Sequence, residues 1–140
     1  MEFKGNGSIF FLRLDPDEKI METLLAFLED QFIPSGTLMA VGAVKEATLR
    51  YFNQKEKTFV EKVFAEPMEV TSLTGNITVK DGTPYVHPHV VLGRRDFSTI
   101  SGHLQEGVVG PTLEITIQAF DLSIQRIHSE EIGLNILHFD

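Results

Sequence analysis

Hydrophobic and polar residues alternate along most of this chain with a period of two, which is typical of β-strands. The alternation is clearest in Leu113–Phe120, which reads Leu-Glu-Ile-Thr-Ile-Gln-Ala-Phe. The short apolar run Ser8–Leu14 has the composition of a buried strand. Further strands are predicted at Thr37–Val44, Glu46–Phe52, Thr58–Phe64, Met68–Lys80, Tyr85–Leu92, Ser98–Leu104 and Leu134–Phe139. The chain is therefore predicted to consist mainly of strands joined by turns and short loops.

One segment near the start of the chain departs from this alternation and has the spacing of an amphipathic helix. Asp15 is predicted to cap the helix, with Pro16 at its first position and Glu18 reaching back to the cap N–H. Pro34-Ser35-Gly36 is predicted to end it. The apolar stripe consists of Ile20, Leu24, Phe27 and Leu28.

One main N-terminal helix and many strands predict an α+β fold with an antiparallel-dominated sheet, because the connections are too short for helical crossovers. The chain has 140 residues and no linker or internal repeat, so residues 1–140 are predicted to form a single domain. A single helix covers only part of such a sheet. The remaining apolar face must close into a barrel or meet another subunit, and we therefore expect an oligomer.

The charge balance is acidic, and the chain contains no cysteine. Twelve basic and 20 acidic residues give a formal net charge of −8, which disfavours direct binding to the phosphate backbone of DNA. Any transition-metal site must use histidine and carboxylate ligands. No apolar stretch is long enough to cross a membrane, and no signal peptide is evident. We therefore expect a cytoplasmic protein with no membrane partner.

Three histidines form the most informative polar pattern. His87 and His89 flank Pro88 in one predicted strand, so their side chains point to the same face. His103 lies fourteen residues after His89, in the next predicted strand. If the two strands pair, the three imidazoles form a ligand set typical of a catalytic zinc site. The alternative is that the three are solvent-facing side chains with no metal role.

Three other charged residues are candidates for the same site. Glu114 is a candidate fourth ligand or general base, and the alternative is an exposed carboxylate on an alternating strand. Arg94 and Arg95 lie in the turn between the two histidine strands. They are candidates for binding an anionic substrate, and the alternative is that they are solvated loop residues.

Several segments together resemble a known family in their order and spacing. These are Gly42-Ala43-Val44, Met68–Ile77, His87-Pro88-His89-Val90, Gly102-His103-Leu104 and Thr112–Ile115. They resemble the PPC (plant and prokaryote conserved) domain over roughly residues 8–120. The resemblance implies an α+β domain that assembles as a homotrimer, with the histidine strands near the subunit boundary. It also strengthens the prediction of a zinc or similar divalent metal site at the three histidines.

The chain departs from the plant members of this family, because it has no Arg-Gly-Arg-Pro hook to enter the minor groove of DNA. Ser101 and Pro88 also replace residues that are common in the family. Two functions remain open: a trimeric metal-binding protein acting on a small molecule, and a DNA-binding or transcription-associated module, as the family is commonly labelled. A third interpretation is an assembly module without chemistry.

Overall fold

The structure, a computed structural model, describes residues 1–139 and consists there of one helix and nine strands. The helix α1 (Ile20–Asp30) lies between the second and third strands. The strands are β1 (Glu2–Gly5), β2 (Ile9–Leu14), β3 (Ser35–Asn53), β4 (Thr58–Phe64), β5 (Met68–Lys80), β6 (Thr83–Gly93), β7 (Thr99–Phe120), β8 (Gln125–Ser129) and β9 (Leu134–His138). They form one mixed sheet whose pairs are antiparallel except for a parallel contact between β5 and β8. The predicted α+β class and the antiparallel-dominated sheet are confirmed.

Two strands are much longer than the sequence pattern predicted. β3 joins the predicted strands Thr37–Val44 and Glu46–Phe52 into 19 residues, and β7 joins Ser98–Leu104 and Leu113–Phe120 into 22 residues. The two pair with each other, with three register shifts between Gly42 and Leu49. Bulges bend a strand without ending it, so the residues that indicated loops lie within bent strands.

The buried apolar side chains form one cluster between the sheet and α1. The predicted helical stripe is buried as expected, with Ile20, Leu24, Phe27 and Leu28 facing the sheet. Each such side chain stabilises the fold by about 1.5–3 kcal/mol on burial. No helix within the described residues is long and apolar enough to cross a membrane.

The helix begins four residues later than predicted. The Asp17 N–H donates to the Val109 carbonyl at 3.1 Å, and the Val109 N–H donates to the Glu18 carbonyl at 2.9 Å. This segment therefore pairs with β7 instead of forming a first helical turn. The predicted contact between Glu18 and Asp15 is nevertheless present, since the Asp15 N–H donates to Glu18 Oε2 at 2.7 Å.

A residue of β7 caps the helix. Lys19 occupies the N-cap position without a side-chain hydrogen bond. Instead, the Glu106 carboxylate accepts the N–H of Met21 at 2.8 Å and that of Glu22 at 3.3 Å. A carboxylate at this end of a helix also interacts favourably with the helix dipole. Glu106 thereby fixes α1 beside the middle of β7.

One face of the sheet carries exposed apolar side chains. Phe11 on β2 and Met39 on β3 both lie opposite Thr116 of β7. The side chains of Phe11, Met39 and Val41 are 63%, 61% and 54% exposed. We call these three residues, with Thr116, the exposed sheet face. In a single chain nothing among the described residues covers it.

Candidate metal centre

The pairing of β6 and β7 brings the three histidines together. His89 lies directly opposite His103, and His87 lies two residues earlier on the same face of β6. Opposite residues of an antiparallel pair place their side chains on one face. The ligand nitrogens of all three lie within 4.8 Å of one another, and the Nε2 atoms of His87 and His89 are 3.2 Å apart. The structure thus places the three imidazoles in one cluster, as their spacing predicted.

The opposite face of β6 explains why the histidines point away from the core. Val86, Pro88 and Val90 are buried, so alternation directs the histidines outward. The ladder to β7 begins at His89, immediately after Pro88, which has no N–H to donate. On the other side, Gly75 of β5 lies opposite Pro88, and a Cβ there would be 2.9 Å from the His87 carbonyl oxygen. The backbones of β5 and β6 therefore approach each other closely next to His87 and His89.

The three histidines line a cavity of about 1050 Å³, which we call the histidine cavity. Its walls come from the first turn of α1, from β3 and β4, from the β6–β7 hairpin and from β8 and β9. An aromatic wall is formed by Phe59, whose ring centroid is 5.8 Å from that of His103. Two arginines, Arg50 and Arg126, line the same cavity.

Burial and positive charge favour the neutral form of two of the imidazoles, those of His87 and His103. Burial lowers the pKa of His103 to about 4, with further contributions from His87, His89 and Arg50. The pKa of His87 is also lowered, first by burial and then by the charges of Arg126 and His89. Neutral imidazole is the form that ligates a metal ion. His87 and His103 are therefore in the protonation state that binds a metal ion at neutral pH.

Glu114 is not brought to this cluster. It follows His103 on the same strand rather than on a neighbouring one, and eleven residues of fully extended strand span roughly 36 Å. Glu114 is exposed and lies opposite Arg13 of β2 and Val41 of β3. The sequence pattern assigned His103 and Glu114 to two separate strands that could lie side by side. Because β7 is one continuous strand, Glu114 does not lie beside the histidines.

Arg94 and Arg95 also lie outside the histidine cavity, beyond the last pair of the β6–β7 ladder. Arg94 donates to Glu66 Oε1 at 3.0 Å, and its guanidinium lies 5.5 Å from the centroid of the Phe64 ring. Arg95 is exposed in the turn. Their expected position beside a substrate of the histidine site is not supported, because the hairpin extends away from the cluster.

The two arginines that do line the cavity were not identified from the sequence. Arg50 lies opposite His103 across the β3–β7 pair, and its Nε donates to Glu61 Oε2 at 2.7 Å. Arg126 is on β8, a strand that the sequence pattern did not predict. Both positions depend on strand pairing over long sequence separations, for which the local pattern contains no signal.

A fold of one helix on an antiparallel sheet, with three imidazoles gathered in a cavity, defines a small α+β protein with a candidate metal site. The model of the Plants and Prokaryotes Conserved (PCC) domain family matches residues 1–121. The chain belongs to this family, which confirms the resemblance seen in its motifs.

Several solved structures are similar over nearly the whole chain. A Bacteroides thetaiotaomicron protein, described as a candidate DNA-binding protein, is 34% identical, with a TM-score of 0.96 and coverage of 99% of this chain and 96% of that chain. A metal-containing protein from Archaeoglobus fulgidus is 33% identical, with a TM-score of 0.90 and coverage of 99% and 97%. A PPC protein from Pyrococcus horikoshii is 27% identical, with a TM-score of 0.87 and coverage of 99% and 95%. The search of curated proteins gave no match.

Proposed function

We propose that this protein binds a divalent transition-metal ion, with zinc as the leading candidate, at His87, His89 and His103. The observation that carries the proposal is the approach of three ligand nitrogens to within 4.8 Å of one another. Tetrahedral zinc with Zn–N bonds of 2.0–2.1 Å requires N···N separations of about 3.3 Å. The 3.2 Å between two Nε2 atoms fits this value. The metal-containing relative from Archaeoglobus fulgidus supports the same assignment.

The donor set and the cavity favour binding of a small oxygen-containing ligand. A divalent ion held by three imidazoles keeps a coordination position open and acts there as a Lewis acid. The histidine cavity is large enough for a small molecule, and the Phe59 ring lies beside His103 in its wall. No carboxylate within the described residues joins the three imidazoles, so we propose ligand binding and polarisation without assigning a general base.

Elemental analysis of protein purified without a polyhistidine tag tests the metal site. We expect about one metal ion per chain in the wild type and almost none in His89→Gln. His128→Gln is a matched control, because His128 lines the same cavity but lies outside the cluster. Zinc at one hundred times its Kd should stabilise the wild type by about 2.7 kcal/mol and should not stabilise His89→Gln. Absence of bound metal together with no shift in Tm would contradict the proposal.

A DNA-associated role is the second candidate, because the relative from Bacteroides thetaiotaomicron is described in those terms. The net charge of −8 weighs against direct contact. Fluorescence anisotropy with a labelled DNA duplex, measured across a salt series, separates the possibilities. Binding at low salt that weakens as salt rises would support direct contact, whereas no binding at the lowest salt would exclude it.

We also propose that the chain assembles as a homotrimer, with the number of subunits taken from the family resemblance. The exposed sheet face supports assembly, because apolar side chains such as Phe11 and Met39 remain uncovered in one chain. Native mass spectrometry at micromolar concentration should give three subunits. Met39→Glu should shift the population to monomers, whereas Phe32→Glu, on an exposed turn, should not. A monomeric wild type would contradict the proposal.

A further inference from the structure

A buried arginine that has no acidic partner among residues 1–139 lies in the histidine cavity. Arg126 is only 7% exposed, and none of the described carboxylates forms an ion pair with it. Its Nε donates to Thr78 Oγ1 at 3.0 Å, and its Nη1 donates to the Asn135 carbonyl at 2.8 Å. Its Cζ lies 5.0 Å from the centroid of the Tyr85 ring. A buried charge of this kind is costly unless something neutralises it.

The hydrogen bonds of Arg126 leave part of the guanidinium available. A guanidinium carries five N–H groups, and the two bonds to Thr78 and Asn135 use only two of them. Among the described residues, no buried side-chain nitrogen or oxygen lacks a hydrogen-bond partner. The Nη2 atom has no protein partner within these residues, so it is accessible to solvent, and Arg126 is one of the residues that line the cavity. Arg126 therefore presents N–H donors to a ligand.

These donors lie on the side of the cavity that carries the histidines. Tyr85, which stacks on Arg126, is two residues before His87 on the same face of β6, a distance of roughly 7 Å along the strand. A small molecule is long enough to reach from the guanidinium to the imidazole cluster.

We propose that Arg126 binds the carboxylate of a small organic acid in the histidine cavity, with a second oxygen group of that acid directed toward His87, His89 and His103. The second contact rests on the metal site proposed above, whereas the first depends only on Arg126. The planar guanidinium provides parallel N–H groups that match the two oxygens of a carboxylate.

The surroundings favour a carboxylate over a phosphate. A phosphate group commonly binds at the N-terminus of a helix, where backbone N–H groups are free. In the first turn of α1, the N–H groups of Met21 and Glu22 are already bonded to Glu106. Arg50, the other cavity arginine, is paired with Glu61. One available guanidinium edge suits a single carboxylate better than a more highly charged phosphate.

Isothermal titration calorimetry of zinc-loaded protein with lactate tests the inference, since lactate carries a carboxylate and a hydroxyl group. Methyl lactate is the uncharged counterpart, and inorganic phosphate is the competing anion. We expect lactate to bind at least tenfold more weakly to Arg126→Met than to the wild type, with a smaller loss in Arg126→Lys. Lys55→Met, which removes one positive charge from the exposed β3–β4 loop, should bind like the wild type. Methyl lactate should bind at least tenfold more weakly than lactate.

Because Arg126 also joins β8 and β9 to β5, folding of the variants is checked by circular dichroism. A measurement on the wild type needs no substitution: the guanidinium NMR signals of Arg126 should shift when lactate is added. Equal lactate affinity in the wild type and a folded Arg126→Met, or no shift of these signals, would overturn the inference. Phosphate binding that is tighter than lactate binding and lost in Arg126→Met would overturn the carboxylate assignment.

Zinc content measured in the same samples separates this inference from the proposed function. If the wild type takes up no zinc, the metal site fails independently of Arg126. Lactate binding to that metal-free wild type, lost in Arg126→Met, would then still support the carboxylate contact. Absence of lactate binding to the metal-free protein would in that case overturn it.

Discussion

Acid should destabilise the metal-free protein through His103. Its pKa of about 4 in the folded protein lies below the ordinary value of 6.5, which holds for the unfolded chain. The unfolded chain therefore binds a proton more readily than the folded one. The contribution of His103 to stability is fully present above pH 6.5 and is lost as pH falls from 6.5 toward 4.

The two pKa values set the size of this effect. Their difference corresponds to at most about 3.4 kcal/mol between the protonation states, at 1.36 kcal/mol for each pKa unit. His103 is only partly buried, and solvent screens its interactions. We therefore expect about 1–2 kcal/mol of the free energy of unfolding to disappear between pH 7 and about pH 4.5 because of this residue.

Urea denaturation of metal-free wild type and His103→Gln at both pH values measures the contribution. Carboxylates elsewhere also titrate in this range, so the informative quantity is the difference between the two proteins. The loss of stability on acidification should be smaller in His103→Gln by about 1–2 kcal/mol. Equal losses in wild type and His103→Gln would refute the reasoning.

Two substitutions test how the fold supports the site. Glu106→Ala should lower the free energy of unfolding by about 1–2 kcal/mol, because the N–H groups of Met21 and Glu22 lose their acceptor. Urea denaturation should show this loss, and an unchanged midpoint would contradict it. Gly75→Ala should weaken zinc binding severalfold and destabilise the protein by about 1–3 kcal/mol, because a Cβ 2.9 Å from the His87 carbonyl oxygen forces β5 and β6 apart. Competition with a chromogenic chelator measures the zinc affinity, and wild-type affinity would show that the close approach does not position His87.

The parts of the fold that follow from local pattern were predictable from the sequence. Alternation located β5 at Met68–Lys80, as observed, and it assigned the buried and outward faces of β6. Local pattern did not show that β3 and β7 continue through bulges, because a bulge and a loop use the same residues. It also placed the start of α1 too early, since pairing with β7 overrides the capping preference of Asp15.

The residues of the candidate site likewise fall into those that local pattern predicted and those that it did not. The cluster of His87, His89 and His103 followed from a period of two and one hairpin, both of which are local properties. Glu114 was misplaced because the sequence pattern assigned it to a strand separate from that of His103, whereas both residues lie on β7. Arg126 was missed because its place in the cavity depends on the contact between β8 and β5, 48 residues apart at Thr78. The spacing of residues along the sequence does not reveal such a contact.

The charges around the cavity imply that metal and anion should bind cooperatively. Arg50 and Arg126 lower the pKa values of the neighbouring imidazoles, and the same positive charges oppose the arrival of a divalent cation. A carboxylate bound to Arg126 would remove part of this repulsion. We therefore expect saturating lactate to strengthen zinc binding by roughly 5-fold or more, and zinc to strengthen lactate binding by the same factor, as linkage requires. Zinc affinities measured by chelator competition with and without lactate, corrected for the affinity of lactate for zinc in solution, check this expectation. Zinc binding that is independent of lactate would show that the cation and the anion occupy the cavity without interacting.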